Sequence, residues 1–153
     1  MSESPKKHLL LEEFLPYRLS YLSNMIGRRL ANIYAKQFKI SPSEWKVMAL
    51  LNRFPNISAA EVAERTALDK VAVSRAVNSL LDKGHVRRHY AEEDRRRSIL
   101  SLTNEGQDIY NRIEPLVTDY ERLLLKTLNA EEQAQLDTLI RKLTQHAEKT
   151  VGE

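Results

Sequence analysis

Apolar residues recur at helical spacing along most of this 153-residue chain, and the spacing changes to alternation over one stretch, residues 85–103. In the first long segment, leucine and isoleucine stand three or four residues apart from Leu11 to Ile33, which traces one face of a helix. The chain has only 4 Gly and 5 Pro, which also favours helix over sheet. The pattern therefore predicts a mainly α fold with one small β element.

The middle of the chain carries three helix-start signals. Ser41–Glu44 and Ser58–Glu61 both have the capping-box pattern, in which a serine and the glutamate three residues later satisfy each other's backbone N–H groups. Asp69 is a third candidate N-cap, and Gly84 can adopt the left-handed conformation that ends a helix. These signals predict that residues 58–83 form a helix-turn-helix.

The alternating stretch predicts two strands. His85–Ala91 and Ser98–Thr103 alternate at a period of two, and residues 92–97 between them form a short charged loop. Since two strands alone are only marginally stable, we expect this hairpin to pack on the preceding helices. The predicted architecture is a winged helix-turn-helix inside a helical frame.

The net charge of +3 is unevenly distributed. Residues 65–97 carry nine basic and five acidic side chains, whereas residues 106–153 carry six basic and nine acidic ones. A basic middle segment favours an anionic partner, nucleic acid first. On charge alone, a solvated mixed surface is the alternative.

The second helix of the helix-turn-helix would present short polar or cationic groups that can reach bases or phosphates in a major groove. These candidate DNA-binding residues are Lys70, Ala72, Ser74, Arg75 and Asn78. Three arginines at the hairpin tip, Arg95, Arg96 and Arg97, suit a minor groove or phosphates. Asp94 can pair with Arg96 and stiffen the turn. The alternative is an ordinary helical hairpin with a solvated outer face.

Several classes of site are not expected. The absence of cysteine excludes disulfides, thiolate zinc sites and iron–sulfur clusters. The four histidines are scattered, and His85 and His89 would stand about 13 Å apart in a strand, so neither a metal site nor a cofactor is predicted. No phosphate-binding glycine loop, G-x-S-x-G elbow or H-E-x-x-H helix is present, so we expect no catalytic residues and no enzyme activity.

No membrane association is expected, because no run approaches the roughly 18 apolar residues of a membrane span. Met1–Leu11 also lacks the long apolar core of a signal peptide. The predicted location is therefore cytoplasmic.

Three segments resemble the MarR family of winged-helix transcription regulators: VSRAVNSLLDKG, HVRR and DRRRSILSLTNEG. The most specific match is Asp-Arg-Arg followed by Leu-x-Leu-Thr-x-x-Gly. The resemblance is close over residues 40–106, and the flanking helices match the family's architecture. It implies a homodimer with an N-terminal dimerisation helix (9–38), a winged helix-turn-helix DNA-binding domain (39–103) and C-terminal dimerisation helices (104–150).

The resemblance also implies roles for single residues. Ser74 and Arg75 would contact DNA, Arg95 and Arg97 would act from the wing, and Asp94 and Arg96 would brace it. Gly84 and Gly106 would be structural. A two-fold dimer implies a palindromic operator in double-stranded DNA, with half-sites about 10 base pairs apart.

Many MarR-like proteins release DNA when a small aromatic, anionic compound binds. Arginine can fork onto a carboxylate while tyrosine and tryptophan stack on a ring, which suits such an effector. The candidate ligand-binding residues here are Tyr17, Arg18, Tyr21, Asn24, Arg28, Trp45 and Met48. The segment FLPYRLSYLSN is similar to members that sense aromatic acids or their coenzyme A thioesters. The alternative is that Tyr17 and Tyr21 pack in the dimer interface and Arg28 is solvated.

The expected function is a ligand-responsive regulator, a repressor, which binds its operator as a homodimer and is released by the effector. The alternatives are a ligand-blind winged-helix DNA-binding protein and a winged-helix protein-interaction module.

Overall fold

The computed structural model describes residues 8–150 and has six α-helices and three short strands within them. In chain order they are α1 (Leu15–Phe38), α2 (Pro42–Arg53), β1 (Ile57–Ser58), α3 (Ala59–Thr66), α4 (Lys70–Asp82), β2 (Val86–Tyr90), β3 (Ser98–Leu102), α5 (Asn104–Leu125) and α6 (Ala130–Thr150). The predicted fold class, mainly helical with a β-hairpin wing, is confirmed.

The helix starts follow the predicted capping pattern. Ser41 Oγ accepts from the Glu44 N–H at 3.1 Å, and the Glu44 carboxylate accepts from the Ser41 N–H at 3.3 Å. Ser58 and Glu61 make the same pair at 3.2 and 2.8 Å. Asp69 caps α4 by accepting from the Ala72 N–H at 2.8 Å.

The sheet has three antiparallel strands in the order β1-β3-β2. The predicted hairpin is present, with Val86 opposite Leu102. The third strand, β1, was not predicted, because two residues are too short to show alternation. It places Ile57 opposite Leu100, so β3 is paired on both edges.

Two glycines and a threonine fasten the wing to α5. Thr103 Oγ1 donates to the Gly84 carbonyl at 2.6 Å and accepts from the Gly106 N–H at 3.0 Å. The Thr103 N–H donates to the His85 carbonyl at 3.0 Å. A Cβ on Gly106 would lie 2.0 Å from that carbonyl oxygen, so the close approach requires glycine. Gly84 has a φ of +75°, which also favours glycine.

Three stacked aromatic rings join α2 to the two helices that flank the winged helix, α1 and α5. The Trp45 ring of α2 lies between Tyr34 of α1 and Tyr110 of α5, with centroid distances of 5.9 and 5.1 Å. Burial raises the pKa of both tyrosines above the ordinary value, so their hydroxyls remain protonated at neutral pH. Fully buried aliphatic side chains form the core below: Ile40, Val47, Val62, Val77, Leu80, Leu100 and Ile113.

The chain divides into two compact units, one ending at Glu114 and the other beginning at Pro115, inside α5. In the second unit, Asn129 caps α6 by accepting from the Glu132 N–H at 2.9 Å. None of the helices in residues 8–150 is long and apolar enough to cross a membrane.

Gly106→Ala should destabilise the protein, because the new methyl group must displace the His85 carbonyl and the threonine hydrogen bonds around it. We expect a loss of about 1–3 kcal/mol in the free energy of unfolding, measured by urea denaturation. Gly27→Ala is the matched control, because a Cβ there meets nothing within 4 Å. Equal urea midpoints for the Gly106 variant and the wild type would contradict the close-packing argument.

Candidate nucleic-acid interface

A tight turn sets the position of α4 against α3. Ala67, at the end of α3, has a left-handed φ of 54°, and Asp69 already caps the next helix. Thr66 Oγ1 donates back to the Val62 carbonyl at 2.7 Å, which closes the last turn of α3. The resulting three-residue turn is the helix-turn-helix geometry predicted for this segment.

Helix α4 buries one face and exposes the other. Val73, Ala76, Val77 and Leu80 are buried in the core. The outward face carries Lys70, Ser74, Arg75 and Asn78, all exposed. Ala72 was also predicted to contact DNA, but it is half-buried rather than exposed and lies beside the core face of α4. Val71 was not singled out from the sequence, yet it is 59% exposed on the outward side.

An ion pair with a buried carboxylate joins the end of α4 to the start of α2. Lys83 Nζ lies 2.8 Å from Glu44 Oε2 and also donates to the Lys39 carbonyl at 2.7 Å. Ser79 Oγ donates to the same carboxylate at 3.4 Å. Glu44 is only 6% exposed, whereas the Lys83 side chain remains partly open to solvent. The sequence showed Glu44 only as a capping residue, because Lys83 is 39 positions away.

The wing turn is braced mainly by backbone groups. The Asp94 carboxylate accepts from the Arg96 backbone N–H at 3.0 Å, and the Asp94 carbonyl accepts from the Arg97 N–H at 3.0 Å. The predicted pairing of Asp94 with Arg96 is thus made through the backbone, and the Arg96 side chain is exposed. Arg95 is exposed as well.

Arg97 has a second contact that the sequence did not indicate. Its guanidinium lies 3.6 Å from the Glu61 carboxylate at the start of α3. Hydrogen bonds from Ser58 hold the pKa of Glu61 below its usual range, and the positive charges of Arg97 and Arg65 lower it further. This contact links the wing loop to the helix-turn-helix.

A groove of about 570 Å³ lies between α3 and α4. Small apolar side chains such as Ala63 and Val73 line it, and Lys70 and Ser74 contribute from α4. Arg88 of β2 lines the same groove, so the groove extends from α4 to the base of the wing.

The predicted effector-binding residues fall into two groups. Tyr17, Arg18 and Tyr21 line an open groove of about 570 Å³ on α1, and the two tyrosine rings are 6.3 Å apart. Asn24 and Arg28 are exposed further along the same helix.

Trp45 and Met48 do not line that α1 groove. Trp45 packs within the aromatic stack. Met48 is fully buried, because α2 turns this face toward the core. Met48 therefore belongs to the core in this structure.

No group of three or more His, Asp or Glu residues within residues 8–150 is arranged to hold a metal ion.

The sequence comparisons identify the family. Residues 38–97 match the model described as "MarR family". The multiple antibiotic resistance protein MarR of Escherichia coli is 30% identical over 136 residues, which cover 88% of this chain and 94% of that protein. The chain belongs to the MarR family. The regulator BilQ of Clostridium symbiosum is 32% identical over 93 residues, and the match spans 61% of this chain and 65% of that protein.

Solved structures of MarR-family proteins have the same fold. A MarR/EmrR-family regulator from Acinetobacter sp. ADP1 superposes with a TM-score of 0.85 at 26% identity, covering 92% of this chain and 99% of that one. A mutant of E. coli MarR, complexed with operator DNA, gives a TM-score of 0.73 at 27% identity, covering 89% and 99%. MarR-family proteins are transcription regulators rather than enzymes, and this chain is a DNA-binding transcription regulator of that family.

Acid should remove the stabilising contacts of the Glu61 carboxylate, chiefly its hydrogen bonds with Ser58 at the start of α3 and then its pair with Arg97 of the wing. The pKa of Glu61 is lower in the folded state than its ordinary value of 4.5. The ionised Glu61 carboxylate therefore stabilises the fold above pH 4.5, and this stabilisation is lost as the pH falls through the pKa of the folded state. Glu61→Gln should therefore show a smaller loss of stability than the wild type between neutral pH and about pH 3, measured by thermal unfolding. Glu64→Gln, at an exposed position on the same helix, is the control. Identical pH profiles for Glu61→Gln and the wild type would contradict this role.

Proposed function

We propose that this regulator is a homodimeric repressor that binds an inverted-repeat operator through α4 and the wing and is released by a small aromatic anion. The observation that carries the proposal is the outward placement of the basic side chains. Among the described residues, Arg75, Arg95 and Arg96 are exposed and take part in no ion pair with an acidic side chain. Their charge is therefore available to DNA phosphates or to base edges.

The proposed contacts divide between two grooves. Helix α4 would enter the major groove with Lys70, Ser74, Arg75 and Asn78, and Arg75 can fork onto a guanine or a phosphate. Arg95 and Arg97 would reach the minor groove or phosphates from the wing, while Asp94 and the Arg96 backbone hold its shape. Ala72 would lie at the edge of this surface.

The dimer is proposed from apolar faces that each unit leaves exposed. In the first unit, Leu19 and Leu22 of α1 are 50% and 52% exposed. In the second unit, Leu139 and Leu143 of α6 are 57% and 50% exposed. Contiguous apolar faces of this kind mark interaction surfaces, and a second copy of the chain would cover them in a two-fold dimer. We accordingly assign residues 9–38 and 104–150 to dimerisation and residues 39–103 to DNA binding.

The effector site is proposed at the α1 groove. Tyr17 and Tyr21 offer aromatic faces, and Arg18 beside them offers a guanidinium for a carboxylate. Asn24 and Arg28 would extend it along α1.

Arg75→Ala and Arg95→Ala should each weaken operator binding at least tenfold without unfolding the protein, because each removes an exposed charge from the interface. The probe is a DNA duplex selected by the wild-type protein from random sequence, with affinity measured by fluorescence anisotropy. Arg122→Ala, which removes an exposed arginine of α5, is the control. Wild-type affinity in both variants would refute this interface, and a wild-type protein that selects no DNA would refute the proposed function.

A charged residue on the exposed apolar face of α6 should dissociate the dimer. Leu139→Glu and Leu143→Glu together should shift the protein from dimer to monomer in analytical ultracentrifugation, because burying two carboxylates in an interface is strongly unfavourable. Gln145→Glu adds charge on the opposite side of α6 and serves as the control. An unchanged dimer would show that α6 is not in the interface.

A thermal-shift screen with benzoates, hydroxycinnamates and their coenzyme A thioesters tests the effector site. We expect at least one compound to raise the melting temperature and to release DNA. Arg18→Ala and Tyr21→Ala should lose this shift, whereas Arg29→Ala, outside the groove, should keep it. No stabilisation by any compound, or equal shifts in all variants, would exclude the proposed site.

A further inference from the structure

We propose that Val71 reads the 5-methyl group of a thymine in the operator. This inference rests on the proposed function, since it requires α4 to enter the major groove. It adds an apolar, sequence-discriminating contact to an interface that is otherwise polar and cationic.

Val71 occupies the centre of the outward face of α4. Successive residues of an α-helix are rotated by about 100°, so residues nine apart point in opposite directions. Leu80, nine residues after Val71, is fully buried, and Val71 is correspondingly 59% exposed. Asn78, seven residues after Val71, returns to within about 20° of the same line. Ser74 and Arg75 flank that line, one on each side.

Val71 also lies at the N-terminal end of α4, which is the end expected to meet the bases. It is the second residue of α4, directly after Lys70 and the Asp69 cap. In a helix-turn-helix, the N-terminal residues of the second helix contact base edges in the major groove. A short side chain at this point can touch the bases, because the helix itself lies against the groove floor.

The chemistry of valine restricts what it can recognise. It has no hydrogen-bond donor or acceptor, so it cannot bind a phosphate or the polar edge of a base. The apolar group that a base pair presents in the major groove is the C5-methyl of thymine. Ala72, the other apolar residue near this point, lies about 100° from Val71 and is half-buried, which leaves Val71 in the better position.

The test removes the methyl groups from each side of the contact in turn: deoxyuridine removes that of thymine, and Val71→Ala removes those of the protein. Each thymine of the selected operator duplex is replaced in turn by deoxyuridine, symmetrically in both half-sites, and affinity is measured for the wild type and for Val71→Ala. At one thymine position, we expect deoxyuridine to weaken wild-type binding by about fourfold per half-site, which is about sixteenfold for the duplex. Val71→Ala should bind the unmodified operator more weakly and be insensitive to uracil there.

Two control variants distinguish the loss of this contact from a general loss of DNA affinity. Val71→Thr keeps one methyl group and should retain part of the discrimination. Asn78→Ala, on the same line of the helix, should remain sensitive to uracil at that thymine even if its affinity falls. If the wild type and Val71→Ala respond alike to every uracil, the inference is overturned while the proposed function stands. If the wild type selects no DNA, both fail.

Discussion

The close approach of Gly106 to the His85 carbonyl is the contact on which the rest of the winged helix depends. Three segments meet here around the Thr103 side chain: the end of α4, the residue just before β2 and the first turn of α5. Thr103 pairs with one backbone group of each of the three segments, so these groups are hydrogen-bonded where the segments pack. Helix α4, the wing and α5 are therefore positioned together.

The two capping glutamates serve a second purpose in the tertiary structure. Glu44 caps α2 and binds Lys83 at the end of α4, while Glu61 caps α3 and binds Arg97 in the wing. The two ties differ in strength. The Glu44 pair is 2.8 Å long and its carboxylate is buried, whereas the Glu61 pair is 3.6 Å long with both side chains partly exposed, and exposed pairs contribute little. The ion pair at the end of α4 is therefore the stronger of the two.

Much of this fold was predictable because its signals are local. The capping boxes at Ser41 and Ser58, the Asp69 cap and the Gly84 terminus involve residues at most four apart. The strand β1 was missed, because its two residues pair with a strand some 40 positions later and carry no pattern of their own. The burial of Met48 was missed for a related reason: helical spacing shows that a face exists but not which neighbour covers it.

The sequence by itself determined where the helices begin and end, which family the chain resembles and where its positive charge lies, since short-range hydrogen bonds and periodicity decide these. Only the tertiary structure showed that Lys83 binds Glu44, that Arg97 reaches Glu61 and that Val71 lies at the centre of the outward face. Those facts depend on how distant segments pack. The physical reason is that a contact between residues 36 or 39 positions apart is set by the path of the whole chain between them.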